Sequence, residues 1–483
     1  MYRYSPMVPN ELHTNTRISS LDALRGYAIL TMVLSGTIAF GILPDWMYHA
    51  QTPPPTNRFD PSVLGITWVD LVFPFFLFAM GAAFPFSIGK KAEEGVPAWK
   101  LVFDSLTRGL KLAFFAIFIQ HMYPHVISKP QDYTAWFTSL ASFVVMFPLF
   151  MRFPWKMSRW VHYAIRIAAL SIAVTLLLTT NYANDREFSL SFSNIIILVL
   201  ANMAVFASIA YIFTSKNKWK RLIILPFVMA ILLGGTSNAD SWNSWLYNFT
   251  PAPWLYSFRF LKYLFIVIPG SIAGDYLLEY IKNYTPTNPD SVKRERQTAY
   301  YLVFLALGII LLNLYCLFTR CLVVNLFGSF MLLSLGYYLV SRLKTANIQL
   351  WKNLFIAGAC FLMLGLFFEA YEDGIRKDHS TYSYYLVSSG LAFMALMIFS
   401  IVCDYFKCKK STSFLSMAGQ NPMIAYVSSS LVVLPILNIT HLLPFLDAYG
   451  DNALWGFLRG VVITALVTLI TVFFTKKKWF WRT

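Results

Sequence analysis

The side chains able to carry chemistry in this chain are few, and each stands beside or inside a long apolar run. Asp22 and Arg25 lie three residues apart in the stretch Ser19-Ser-Leu-Asp-Ala-Leu-Arg-Gly26, a spacing that places both on one face of a helix. The pair reads as an ion pair at a helix start or, together with Arg17, as a grip on an anionic ligand at the inner face, because arginine can meet a phosphate with two parallel hydrogen bonds. Asp70 opens a second apolar run in Trp68-Val-Asp-Leu-Val-Phe-Pro74. At about 1.5 Å per residue it sits roughly one turn inside that segment, and Pro74 is expected to bend the helix beside it. Asp70 reads as a structural cap or pair, or as a functional acid, since an ionisable group in a span is costly and by default faces a cavity. Between these two segments His49 lies in a loop carrying Pro53, Pro54, Pro55 and Pro61, which makes the loop stiff and extended. A lone loop histidine is ordinarily a surface residue, and His121, His125, His379 and His441 compete with it.

The elements that must position these residues follow from composition. Of 483 residues 57% are hydrophobic and 13% charged, with a mean hydropathy of +0.56; soluble globular chains carry about 25% charged residues. Apolar runs of about 20 residues predict membrane-crossing helices rather than the short alternating strands of a barrel. A window of that length finds fourteen candidates, near 21–43, 65–89, 101–122, 134–151, 160–180, 189–213, 221–236, 253–280, 298–318, 321–341, 353–370, 383–403, 414–437 and 453–475. The fold class is therefore all-α, a polytopic transmembrane bundle of ten to fourteen spans. Loop charge orients it: with the N-terminus inside, the inner segments hold 26 lysines and arginines and the outer ones only Arg58, Lys129, Arg186, Arg320, Arg376 and Lys377. By the positive-inside rule both termini are cytoplasmic and the His49 loop is outside. Residues 1–20 form a cytoplasmic segment without an apolar stretch, so the first span is expected to act as an uncleaved anchor. Residues 21–475 form one transmembrane domain and 476–483 a basic cytoplasmic tail. The formal charge of +16 is accounted for by these topological clusters, so no nucleic-acid partner is expected. The five cysteines lack the spacing of a disulfide framework or zinc site, and no metal is expected.

Three strings, the RxxSLDALRG of Arg17–Gly26, the WMYHA of Trp46–Ala50 and the GITWVDLVFPFFLFAMG of Gly65–Gly81, in combination and order resemble the heparan-α-glucosaminide N-acetyltransferase family, closest to its bacterial branch. The GQNP of Gly419–Pro422 is similar to a further family string. The resemblance implies an acyltransferase that moves acetyl from cytosolic acetyl-CoA, a co-substrate, to the amine of a terminal glucosamine on the far side of an inner membrane that the chain crosses many times. It implies that His49 is catalytic, that Asp70 is its partner acid, and that Asn421 belongs with Arg17, Asp22 and Arg25 around acetyl-CoA. Arg259 and Lys262 would meet an acidic glycan acceptor or snorkel to the interface; the implied partners are acetyl-CoA, a glycan and the bilayer, with a homodimer left open. Histidine, whose ordinary pKa is about 6.5, suits removal of a proton from an attacking amine near neutral pH, with an aspartate to orient the ring; a covalent acetyl-histidine is the other route. The chain departs from the family in reading Ser35-Gly36 where eukaryotic members carry an asparagine, and in the proline-rich loop after His49. Two other functions fit the same polar residues: an O-acetyltransferase of envelope polysaccharide, and a transporter of sugar or lipid-linked sugar. A transporter would be marked by inverted repeats, and none stands out. The Gly270–Gly274 spacing needs no role beyond close helix packing.

Overall fold

The structure is a computed structural model that describes residues 18–153, 155, 157–237, 240–285 and 289–482. Its long helices are α1 (Ser19–Ser35), α2 (Trp68–Glu93), α3 (Ala98–His121), α4 (Tyr133–Phe150), α5 (Arg159–Thr179), α6 (Ile195–Thr214) and α7 (Lys218–Ser237). They continue as α8 (Phe258–Lys282), α9 (Ser291–Thr319), α10 (Leu322–Ser341), α11 (Ala346–Tyr371), α12 (Tyr382–Tyr405), α13 (Pro422–Ile439) and α14 (Ala453–Lys476). Twelve of these are long and apolar enough to cross a membrane. The other two are α1, with 17 residues, and α3, which carries Lys100, Asp104, Arg108 and Lys111 before its apolar end. Each of the fourteen expected spans overlaps one of these helices, and no strand occurs among the described residues beyond one bridge between Met151 and Trp481. The chain is an all-α, multi-pass membrane protein. Its outward side chains include Trp160, Phe213, Phe227, Phe304 and Phe327, all well exposed, a surface suited to lipid and not to water.

Two stretches expected as loops are partly helical. Residues Trp242–Asn248 form a short helix capped by the Ser241 hydroxyl. The charged run from Ser291 to Gln297 simply extends α9, as its strong helix formers favour.

The helices pack as two compact units. The first gathers the start of α1 to Ala28, residues Asp45–Lys90 and residues Phe265–Ser416. At its centre α2 and α8 touch backbone to backbone: a Cβ at Gly270 would lie 2.2 Å from the Phe78 carbonyl oxygen, and one at Gly274 would lie 2.3 Å from that of Ala82. The glycines thus serve close approach.

Each of these two helices also contains a proline, Pro74 and Pro269. A proline has no N–H for the carbonyl four residues earlier, which leaves Asp70 and Phe265 without their helical partners. In both cases α12 supplies the donor. The Tyr384 hydroxyl donates to the Asp70 carbonyl at 2.8 Å and the Ser389 hydroxyl to that of Phe265 at 2.9 Å. Elsewhere in this unit buried Glu295 accepts from the Asn347 amide at 3.0 Å, and Asn347 accepts from Tyr280 at 2.6 Å.

The second unit holds residues 29–44, 91–264 and 417–483. Residues 479–482 of the expected basic tail are tied to it. Trp481 is buried against Phe143, Phe147 and Phe150, and Arg482 N donates to the Phe150 carbonyl at 2.7 Å.

Candidate functional site

In the first unit the loop after α1 and the start of α2 meet at one carboxylate. Thr67 is the N-cap of α2, and Asp70 completes a capping box by accepting from the Thr67 N–H at 2.9 Å, an arrangement that satisfies helix-end donors on both sides. The Thr67 hydroxyl donates its single proton to the Tyr48 carbonyl at 2.6 Å, which fixes the loop carrying the next residue, His49. Ala50 N then donates to Asp70 Oδ2 at 3.2 Å, and His49 Nδ1 lies 2.6 Å from Asp70 Oδ1. Asp70 therefore both caps its helix and holds the imidazole. Because the carboxylate can only accept, a neutral His49 ring carries its proton on Nδ1 and its lone pair on Nε2. Asp70 is 2% exposed and the His49 side chain 38%, so a shielded carboxylate orients a reachable base.

A third group completes the site. Lys377 Nζ lies 3.1 Å from His49 Nδ1, 3.3 Å from Nε2 and 3.9 Å from Asp70 Oδ1. Its loop, between α11 and α12, is fastened to the His49 loop. Asp378 N donates to Gln51 Oε1 at 2.8 Å, the Gln51 amide donates back to the Asp378 carbonyl, and Gly65 N donates to the Ile375 carbonyl at 2.8 Å. In the sequence Lys377 reads only as a charge in a loop expected outside, and the one signal it offers is that Arg376-Lys377 is the single basic doublet among the six cations expected on that side.

The competing histidines are placed otherwise. His121 is buried in an aromatic box of Tyr182, Phe188 and Phe192, with Nδ1 on the Ile117 carbonyl at 2.8 Å. His125 stacks on Tyr123, and burial followed by the charge of Lys129 holds its imidazole below the usual range. His441 meets the Tyr133 hydroxyl at 3.3 Å, and His379 is exposed. Among the described residues, His49 is the histidine with a carboxylate on its ring.

The other described site candidates each have surroundings of their own. Asp22 and Arg25 pair with each other at 3.3 Å along α1, while Arg17 lies outside the described residues. Asn421 belongs to the second unit, where it is buried and its amide is divided between the Trp479 carbonyl at 2.8 Å and Trp481 N at 3.2 Å. That use pins the C-terminal residues. Arg259 and Lys262 also belong to the second unit, on the six-residue 3-10 opening of α8. No cluster of metal-ligating side chains occurs among the described residues.

No curated protein matches the chain. A family model described as a domain of unknown function, DUF5009, matches residues 17–277, a span that takes in α1, His49, Asp70 and more than half of the sequence but stops short of Lys377 and Tyr384. The chain belongs to that DUF5009 family.

Proposed function

We propose that the protein is a membrane-bound acetyltransferase that takes acetyl from acetyl-CoA and passes it to the amine of a glucosamine-type glycan end on the outer side of the membrane. The observation that carries this reading is the contact of His49 Nδ1 with buried Asp70 Oδ1 at 2.6 Å, which leaves Nε2 reachable as a general base. An amine attacks a thioester only when a proton has left it, and a positioned histidine typically contributes about 10²–10⁴-fold by taking that proton. Asp70 would hold the ring and stabilise the imidazolium formed as the proton arrives. The residues of the resemblance that carry this chemistry, His49 and Asp70, are the two the site is built on. The negatively charged end of coenzyme A would be met by Arg25 with Arg17.

The test is release of free thiol from acetyl-CoA by the purified protein, with glucosamine as acceptor and N-acetylglucosamine as the hydroxyl-only control. Turnover that needs glucosamine and disappears in His49→Ala is the expected result. Equal turnover with the hydroxyl-only sugar moves the acceptor to the O-acetyl class. Absence of thiol release with either sugar overturns the reading.

A further inference from the structure

We propose that Lys377 is a catalytic residue of this site, its ammonium stabilising the oxyanion that forms when an acyl carbonyl is attacked beside His49. The inference rests on reading the site as one for acyl transfer.

Geometry carries it. Lys377 Nζ is almost equidistant from the two ring nitrogens of His49, at 3.1 and 3.3 Å. A point so placed lies over the face of the imidazole, because in the ring plane it would collide with the carbon between those nitrogens. The ammonium therefore leaves the in-plane lone pair of Nε2 uncovered while standing one contact away from it. An attacking atom held by Nε2 and the oxygen of the carbonyl it attacks would fall within reach of base and cation at once. The Asp70 carboxylate, at 3.9 Å from Nζ, is beyond hydrogen-bond distance, so it attracts the cation without taking its protons.

The backbone that carries the cation is also held in advance. Arg376 N donates to Thr381 Oγ1 at 3.0 Å and Thr381 N donates to the Arg376 carbonyl at 3.1 Å. Asp378 is clasped by Gln51. The two carboxylate oxygens of Glu372 each accept a backbone N–H, from Tyr382 and Ser383, at 2.8 Å. A charge fixed before the reaction, aimed where negative charge will develop, is the arrangement that favours a transition state.

In the step, the amine nitrogen bonds to the carbonyl carbon, the carbonyl π pair moves onto oxygen against Lys377, and the amine proton passes to His49 Nε2. On collapse the pair returns to form the amide carbonyl, the C–S bond breaks, and the thiolate leaves with the proton from His49.

The experiment compares wild type, Lys377→Met, Lys377→Arg and His49→Ala with two donors, acetyl-CoA and p-nitrophenyl acetate; the second needs no coenzyme pocket. Lys377→Met is expected to lower kcat by about 10²–10³-fold, the usual loss for one oxyanion donor, with KM and thermal midpoint unchanged, and Lys377→Arg to restore much of it. His49-dependent turnover that ignores Lys377→Met, or a loss seen only in KM or in thermal midpoint, overturns the inference alone. Cleavage of p-nitrophenyl acetate that needs both residues, with acetyl-CoA inert, upholds Lys377 and rejects the coenzyme as donor. If neither donor shows His49-dependent cleavage, the inference and the acyl-transfer reading fall together.

Discussion

Asp70→Asn separates an orienting aspartate from a merely structural one. The amide keeps one oxygen, and the Thr67 and Ala50 N–H groups at 2.9 and 3.2 Å claim it. Its NH₂ group then faces His49 Nδ1, where the carboxylate oxygen stood at 2.6 Å. Two donors cannot face each other, so the ring places its proton on Nε2 and the reachable nitrogen loses its lone pair. A wrong tautomer of this kind costs about 10⁴-fold in the serine protease triad. The His49 side chain is 38% exposed and can turn out of the mismatch, so the expected loss lies within the general-base range of about 10²–10⁴-fold. The helix cap survives and one charge-assisted hydrogen bond is lost, a stability cost of about 1.5–3 kcal/mol. Turnover is measured as thiol release, folding by thermal melting in detergent, and coenzyme binding by titration calorimetry. Undiminished turnover in Asp70→Asn would refute the reasoning, as would a loss matched by an equal loss of folded protein.

Gly270→Ala must move the Phe78 carbonyl, 2.2 Å from the new Cβ, whereas Gly308→Ala meets nothing within 4 Å. Thermal melting should show the first destabilised by about 1–3 kcal/mol and the second neutral or stabilised by up to about 1 kcal/mol; equal effects would contradict the α2–α8 contact. Tyr384→Phe orphans the Asp70 carbonyl, at about 1–3 kcal/mol, and should cost less in a Pro74→Ala background, where residue 74 regains its N–H. A double-mutant cycle measures the difference, and additivity would sink the assignment. Single cysteines at Pro54 and Trp242 should react with impermeant reagent from outside, and those at Lys91 and Lys218 only from inside. Labelling of positions 54 and 91 from one face would overturn the orientation.

The helices were legible because apolar length is a local property. Even the tight α9–α10 turn, with Arg320 at φ +63°, falls where two apolar runs abut. The site was half legible. His49 and Asp70 stand only 21 residues apart and are joined by one loop, so local strings carried them. Lys377 is 328 residues from His49 and reaches it through packing of α11 and α12, for which one sequence holds no signal beyond a charge in a sparsely charged loop. Asn421 shows the reverse. Its place in a polar string suggested a ligand, while its amide is spent on the backbones of Trp479 and Trp481, a use that depends on where the C-terminus folds.

The two hydroxyls that α12 lends to the broken helices have a mechanical consequence. Tyr384 and Ser389 are five residues apart, which at about 100° per residue points them roughly 140° apart around one axis. No rotation of α12 can keep one carbonyl supplied at the expense of the other; both lose their donors together. Each buried carbonyl left bare costs about 1–3 kcal/mol. The proline-bearing turns of α2 and α8 therefore both draw on one helix for their missing donor. A displacement of α12 that breaks both bonds would strip the Asp70 and Phe265 carbonyls together, the first of them on the residue that holds His49.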